Sequence, residues 1–271
     1  MATPAPKAVN LRWQRVAELV ADHLRERILG GDLEDGMTLP KEEELRLAYP
    51  VSKPSLREAM RILEAEGLIT VRRGNKGGAV VHRPTSMNVA YTLSLLLHSK
   101  GVDIPEVAYA LRELEPGCAQ ACAERPDRME AVVPQLRALH AKAVASVEDL
   151  DAVTKCSREF HEGLVSLCGN RPLIVIVGAL EALWSNHETD LIQSRESDKE
   201  VPMEERLQAL EVHEKLIDLI EAGDGAATRT LAAKHLLKAQ SYPSPNYGEG
   251  IEVPILDLRK LMSDSNFSMI E

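Results

Sequence analysis

Cysteine is scarce and badly placed for chemistry. The four residues Cys118, Cys122, Cys156 and Cys168 form no CxxC pair. That excludes a thiolate zinc knuckle and gives no sign of a disulfide framework, so reduced, buried thiols acting as small apolar groups are expected. No run approaches the roughly 18 apolar residues that span a bilayer. The opening MATPAPKAVNLRWQ lacks the apolar centre of a secretory signal. A cytoplasmic protein with no membrane partner is the expectation. Catalytic signatures are missing too: there is no P-loop, dinucleotide fingerprint, GxSxG elbow or close nucleophile–base spacing. The pairs His161-Glu162 and His213-Glu214 are not followed by a histidine one turn on, so the metalloprotease helix motif fails. An enzyme is not expected.

What the chain does have is asymmetry. Its net charge of −10 is unevenly shared: residues 1–84 hold 14 Lys/Arg against 12 Asp/Glu, and the remaining 187 hold 18 against 30. A slightly basic module before an acidic body fits a DNA reader joined to something that does not touch DNA. The length of 271 residues and 44% hydrophobic content suffice for two domains, each with a core.

Residues 1–10, rich in Ala and Pro, are expected to be disordered. From Leu11 to Leu29, Val16, Leu19, Val20, Leu24 and Ile28 recur at helical spacing until Gly30-Gly31. A short helix follows Leu39-Pro40, its acidic first turn suited to the helix macrodipole, and Tyr49-Pro50 breaks it. The next helix runs from about Lys53 to Glu66, with Leu56, Met60 and Leu63 inward. Ser52 is its N-cap candidate, and Ser55 with Glu58 has capping-box spacing. After Gly67, the runs Leu68–Val71 and Ala79–Val81 flank RRGNKGG and predict a hairpin. From 86 to 240 the periodicity is helical, giving seven expected helices near 86–99, 104–124, 127–146, 148–168, 171–192, 203–221 and 224–240. The fold class expected is mainly α: a winged helix-turn-helix over 11–84, an antiparallel helical bundle over 85–240, and a tail over 241–271 with a short amphipathic piece at Leu256–Met262.

A recognition helix presents small and polar residues to base edges and basic residues to phosphates. Ser52, Lys53, Ser55, Arg57 and Arg61 suit this, with Lys53 and Arg57 one turn apart. Arg72, Arg73 and Lys76 put charge on a glycine-rich wing tip that can approach a groove wall closely. The run G-x-L-x-x-G-x-x-LP-x-E-x-EL … VS-x-x-x-LREA-x-x-x-LEAEGLI … RRG-x-x-GG, over residues 12–84, resembles the winged-helix domain of GntR-type bacterial transcription regulators. The resemblance implies operator contacts by Arg57 and by Gly77 or Gly78. Where the family usually has arginine, this chain has Glu43 and Lys53. At the first position one phosphate contact is lost or taken over by Lys41 or Arg46, and a lysine at the second forks less firmly onto guanine.

In the acidic half, His161, His213 and His235 each have apolar neighbours one turn away, so inward core histidines and a shared metal site are both open on periodicity alone. The body is similar to the helical FadR-type (FCD) effector domain, marked by Arg112-Glu113-Leu114-Glu115, Phe160-His161, and His213 with His235. That likeness implies a divalent metal, Zn or Ni, on three histidines and an aspartate one turn before the first, with a small organic acid held against it. Here that aspartate position is Ser157, a poor ligand, so water or effector would complete the site. Arg112 and Glu115 are the candidate effector-binding residues, with a salt bridge from Arg112 to Glu113 or Glu115 as the alternative. His187 is expected at a helix surface or pocket rim.

The function expected is a repressor-type, sequence-specific DNA-binding regulator: a homodimer on half-sites on the order of 10 bp apart, controlled by a carboxylate effector. A metal-free acyl-CoA- or fatty-acid-responsive regulator is the alternative. A metal-dependent hydrolase is the rival from another class, and an architectural DNA protein a third reading. The N-terminal reader argues against the hydrolase, and the acidic body against the architectural protein.

Overall fold

Gly31, at φ +90°, ends the first helix where the paired glycines predict a stop. The computed structural model describes residues 11–72, 78–194, 201–240 and 250–256. The expected disorder of 1–10 and the amphipathic piece beyond Leu256 lie outside the described residues. The chain folds as two units divided between Pro84 and Thr85.

The N-terminal unit contains α1 (Leu11–Gly30), α2 (Glu42–Ala48), α3 (Lys53–Ala65), β1 (Ile69–Arg72) and β2 (Gly78–Val81). Val20, Ala21, Leu24 and Ile28 of α1 pack on Leu56, Ala59 and Leu63 of α3, each such leucine or isoleucine stabilising by about 1.5–3 kcal/mol. Val16 and Leu19 are exposed instead, because the buried stripe is completed by Ala17 and Ala21. Ser52 caps α3 by accepting from Ser55 N at 3.3 Å. The expected Ser55–Glu58 box does not form: Ser55 is buried with its hydroxyl 2.9 Å from Ser52 Oγ, and Glu58 pairs with Arg61. The hairpin is antiparallel with Ile69 opposite Val81 and Arg72 opposite Gly78. The segment before α2 adds to its edge, Leu39 N donating to Ala79 O at 2.8 Å and Val81 N to Met37 O at 2.8 Å. This close edge explains Gly78, where a Cβ would lie 2.6 Å from Thr38 Cγ2.

The C-terminal unit is helical: α4 (Ser86–Ser99), α5 (Ile104–Glu124), α6 (Arg128–Ala131), α7 (Val133–Ala145), α8 (Leu150–Ser166), α9 (Arg171–Ser194), α10 (Met203–Ala222) and α11 (Gly225–Gln240). Local signals account for the ends. Asp103 and Glu106 close a capping box on α5, Asp149 caps α8, and Gly223 at φ +76° ends α10. The helix expected over 127–146 is instead two, because Pro134 cannot donate to the turn behind it and starts α7 afresh after Val132. Leu111, Leu136, Phe160, Leu164 and Leu216 are fully buried between the helices. Past α11, residues 250–256 return to the unit. Val253 N donates to Val102 O at 2.9 Å, Ile104 N to Ile251 O at 3.0 Å, and Val253 and Leu256 enter the core. No described helix is long and apolar enough to cross a membrane.

Candidate functional site

Each unit carries a candidate site. On α3, Lys53, Arg57 and Arg61 project outward, while Leu56, Ala59 and Leu63 hold the opposite face in the core. This separation is the helical period expressed in burial. Lys41 stands before α2 and Arg46 lies along it, both exposed. Ser52 is half-buried at the cap of α3. Ser55 is a correction: it is only 3% exposed and serves the cap rather than an outer surface. Lys53 Nζ and Arg57 Nε each lie 3.2 Å from one oxygen of Glu42. Burial is the largest single influence and opposes ionisation of that carboxylate, but the two cations together outweigh it and hold its pKa below the ordinary value. Arg72 is exposed at the end of β1 and Gly78 begins β2. Arg73, Lys76 and Gly77 lie outside the described residues.

In the C-terminal unit a cavity of about 120 Å³ is walled by α5, α8, α9, α10 and α11. His161 of α8, His213 of α10 and His235 of α11 line it, with one ring nitrogen from each within 4.8 Å of the others. His213 Nε2 and His235 Nε2 are 3.0 Å apart. Phe160 stacks on His213 with centroids 4.2 Å apart, fixing the plane of a ring whose Nδ1 has no hydrogen-bond partner among the described residues. Burial keeps both of these imidazoles neutral, His213 far below the ordinary value and His235 down to about 3. Neutral imidazole is the form that ligates metal.

His161 is oriented differently. Its Nδ1 lies 2.6 Å from Glu115 Oε1. Glu115 is 1% exposed, and burial raises its pKa to about 7 against a hydrogen bond from Glu181. Glu162, beside His161, is pushed up to about 8 by burial and then by the Glu181 charge. A carboxylate against the far nitrogen of a ligating histidine fixes the ring and raises its basicity. Ser157 lines the cavity one turn before His161, where a carboxylate would have added a ligand.

Two expectations shift. Arg112 does not line the cavity: its Nη1 donates to Gln240 Oε1 at 3.0 Å and its guanidinium sits 5.9 Å from the Tyr109 ring. Among the described residues, the arginine that does reach the cavity is Arg158, which also donates to Ser185 O at 2.8 Å. Its sequence signal is weak, since it is one of many charged residues on a helix that is polar along one side. His187 is 6% exposed beside Trp184, not at a surface, because it continues the buried stripe Val177–Leu180–Trp184 of α9.

The profile of the bacterial regulatory proteins of the gntR family matches residues 16–81, and that of the FCD domain matches residues 106–238. Over 230 residues the chain is 30% identical to an Escherichia coli (strain K12) protein described as a regulatory protein of the L-lactate dehydrogenase operon, covering 82% of this chain and 84% of that protein. It is 27% identical over 191 residues to the HTH-type transcriptional repressor NanR of Edwardsiella tarda (strain FL6-60), covering 66% and 71%. Among solved structures, Streptococcus agalactiae GntR superposes with a TM-score of 0.59 at 22% identity, covering 83% of this chain and 98% of that one, a likeness of fold.

Proposed function

This chain belongs to the gntR family of bacterial regulatory proteins, with an FCD domain as its C-terminal unit, and we propose that a small carboxylic acid bound at a three-histidine metal site controls its hold on DNA. It is a DNA-binding transcription regulator of a family of regulators rather than enzymes.

The observation that carries the reading is the convergence of His161, His213 and His235 with Glu115 behind His161. The residues fit a divalent ion: neighbouring ligands of a tetrahedral Zn²⁺ at about 2.0–2.1 Å are separated by roughly 3.3 Å, close to the 3.0 Å between the two Nε2 atoms, and a nitrogen of His161 lies within 4.8 Å of both. Three imidazoles suit Zn²⁺ or Ni²⁺. A bound ion would supply positive charge and an open position for an anionic ligand. Glu115 orients His161, Phe160 stacks on His213, and Arg158 lines the same cavity, placing positive charge near the acid. A cavity of about 120 Å³ walled by five helices favours a compact acid over an acyl chain.

The DNA reading places α3 in the major groove, with Lys53, Arg57 and Arg61 on bases and phosphates and Lys41 and Arg46 on the backbone. Two copies would sit on half-sites about one helical turn apart, and the acid would act by favouring one of two states that differ in DNA affinity. Repression is the mode favoured, by analogy with the relative named as a repressor. Elemental analysis of untagged protein tests the core of this reading. Close to one equivalent per chain is expected, and less than about a tenth would leave the three histidines as core residues. Sedimentation tests the dimer, and a reporter fused to a selected operator tests repression.

A further inference from the structure

Lys53 and Arg57, four residues apart on α3, are like charges on one helix face, an arrangement that by itself is mildly repulsive. A single carboxylate from the neighbouring helix answers both: Glu42 Oε1 meets Lys53 Nζ and Glu42 Oε2 meets Arg57 Nε, each at 3.2 Å. The side chain of Glu42 is 34% exposed, less than either cation. Arg57 is thus held through Nε. Among the described residues nothing bonds its Nη1 or Nη2, the pair that forks onto guanine O6 and N7 or onto a phosphate. Glu43 and Glu44, in the same helical turn, are exposed and form no ion pair with α3 among the described residues.

From this geometry we infer that Glu42 is a specificity-determining, positioning residue of the DNA reader. It tethers the two cations of α3, aims the free edge of Arg57 outward, and cancels part of the charge that would otherwise grip any phosphate. The inference rests on the reading of α3 as the recognition helix. Loss of the tether frees Lys53 and Arg57 to follow the backbone of any duplex. Non-specific binding gains by that, whereas a base-directed fork loses its fixed orientation. Specificity falls because the two affinities move in opposite directions or by unequal amounts.

The test uses the full chain, a duplex selected from a random library by the wild-type protein, and a shuffled duplex of equal length. Glu42→Gln and Glu43→Gln remove the same charge from adjacent positions, and only the first breaks the tether. Glu42→Gln is expected to lower the ratio of selected to shuffled affinity by about tenfold, on the scale of one base contact. It is also expected to steepen the salt dependence on the shuffled duplex by about 0.9 per reader. Glu43→Gln should leave the ratio within about twofold, and Glu42→Asp, which retains the charge, should leave the salt slope at the wild-type value. An unchanged ratio in Glu42→Gln, or equal changes in the two Gln variants, overturns the inference. Arg57→Ala in the same assay separates the failures. If it binds the selected duplex as wild type does, the recognition-helix reading falls. If it does not, and Glu42→Gln is silent, only the role of Glu42 falls.

Discussion

The two units treat charge in opposite ways. On α3 the cations are exposed and meet a carboxylate that is itself part-exposed, so each ion pair contributes little to stability, on the order of 0–1 kcal/mol. Around the histidine cavity the ionisable groups are buried. There the protein sets which form exists: His213 and His235 neutral, Glu115 and Glu162 slow to ionise. A surface that reads DNA needs charge that is always on and easily desolvated. A cavity that admits a metal and an anion needs bases already free of protons. The first unit should therefore respond to salt, and the second to pH and chelators.

Arg57→Ala puts that contrast under the heaviest load. Removing one bidentate contact costs about 1–3 kcal/mol per copy, so a two-fold complex should weaken by at least about thirtyfold in a gel shift, while the thermal midpoint stays put. Next is His213→Gln. Metal content should fall from about one equivalent to under a tenth and the response to organic acids should vanish, with operator binding in the absence of acid retained. If DNA binding disappears as well, the two units do not work separably. A weaker effect belongs to Arg158→Ala, expected to reduce the affinity for a carboxylate effector by about 1.5–3 kcal/mol in a titration calorimeter, against little change for Arg112→Ala. Equal losses would return Arg112 to the effector site.

Last in size comes the pH profile of chelator-treated protein. An unfolded histidine takes up its proton near 6.5, but His213 and His235 stay neutral when folded, so stability drops as pH falls below that value. An unfolded glutamate ionises near 4.5, but Glu115 and Glu162 hold their protons to about 7 and about 8, so stability drops as pH rises above 4.5. Between 4.5 and 6.5 the two pairs oppose each other and a plateau is expected, with losses of about 1.4 kcal/mol per group per pH unit outside it. Denaturant midpoints that climb steadily across this range would show that the two glutamates are solvated.

The winged helix is legible in the sequence because its punctuation is local. Gly31, Ser52, Gly67 and the two β-branched runs act within a few residues, and the structure puts element ends within a residue or two of them. The break at Val132 is not legible, since Pro134 reads as tolerable inside a long periodic stretch. The three histidines can be read inward from their apolar neighbours. Their supports cannot: Glu115 meets His161 across 46 residues, and nothing in an acidic sequence marks which carboxylates are buried. Arg112 stands out over Arg158 in the sequence because it sits in a dense motif, whereas reaching the cavity depends on how helices α5 and α8 are turned about their own axes. Periodicity settles that only to within a face.

Val253 and Leu256 bear on how the protein is made. The reader has all its core residues once Val81 has been synthesised, but the helical unit leaves a gap beside α4 until a stretch some fifteen residues past its final helix has arrived. On the ribosome, then, the N-terminal unit can mature early, while the helical unit waits until residues 250–256 have been synthesised.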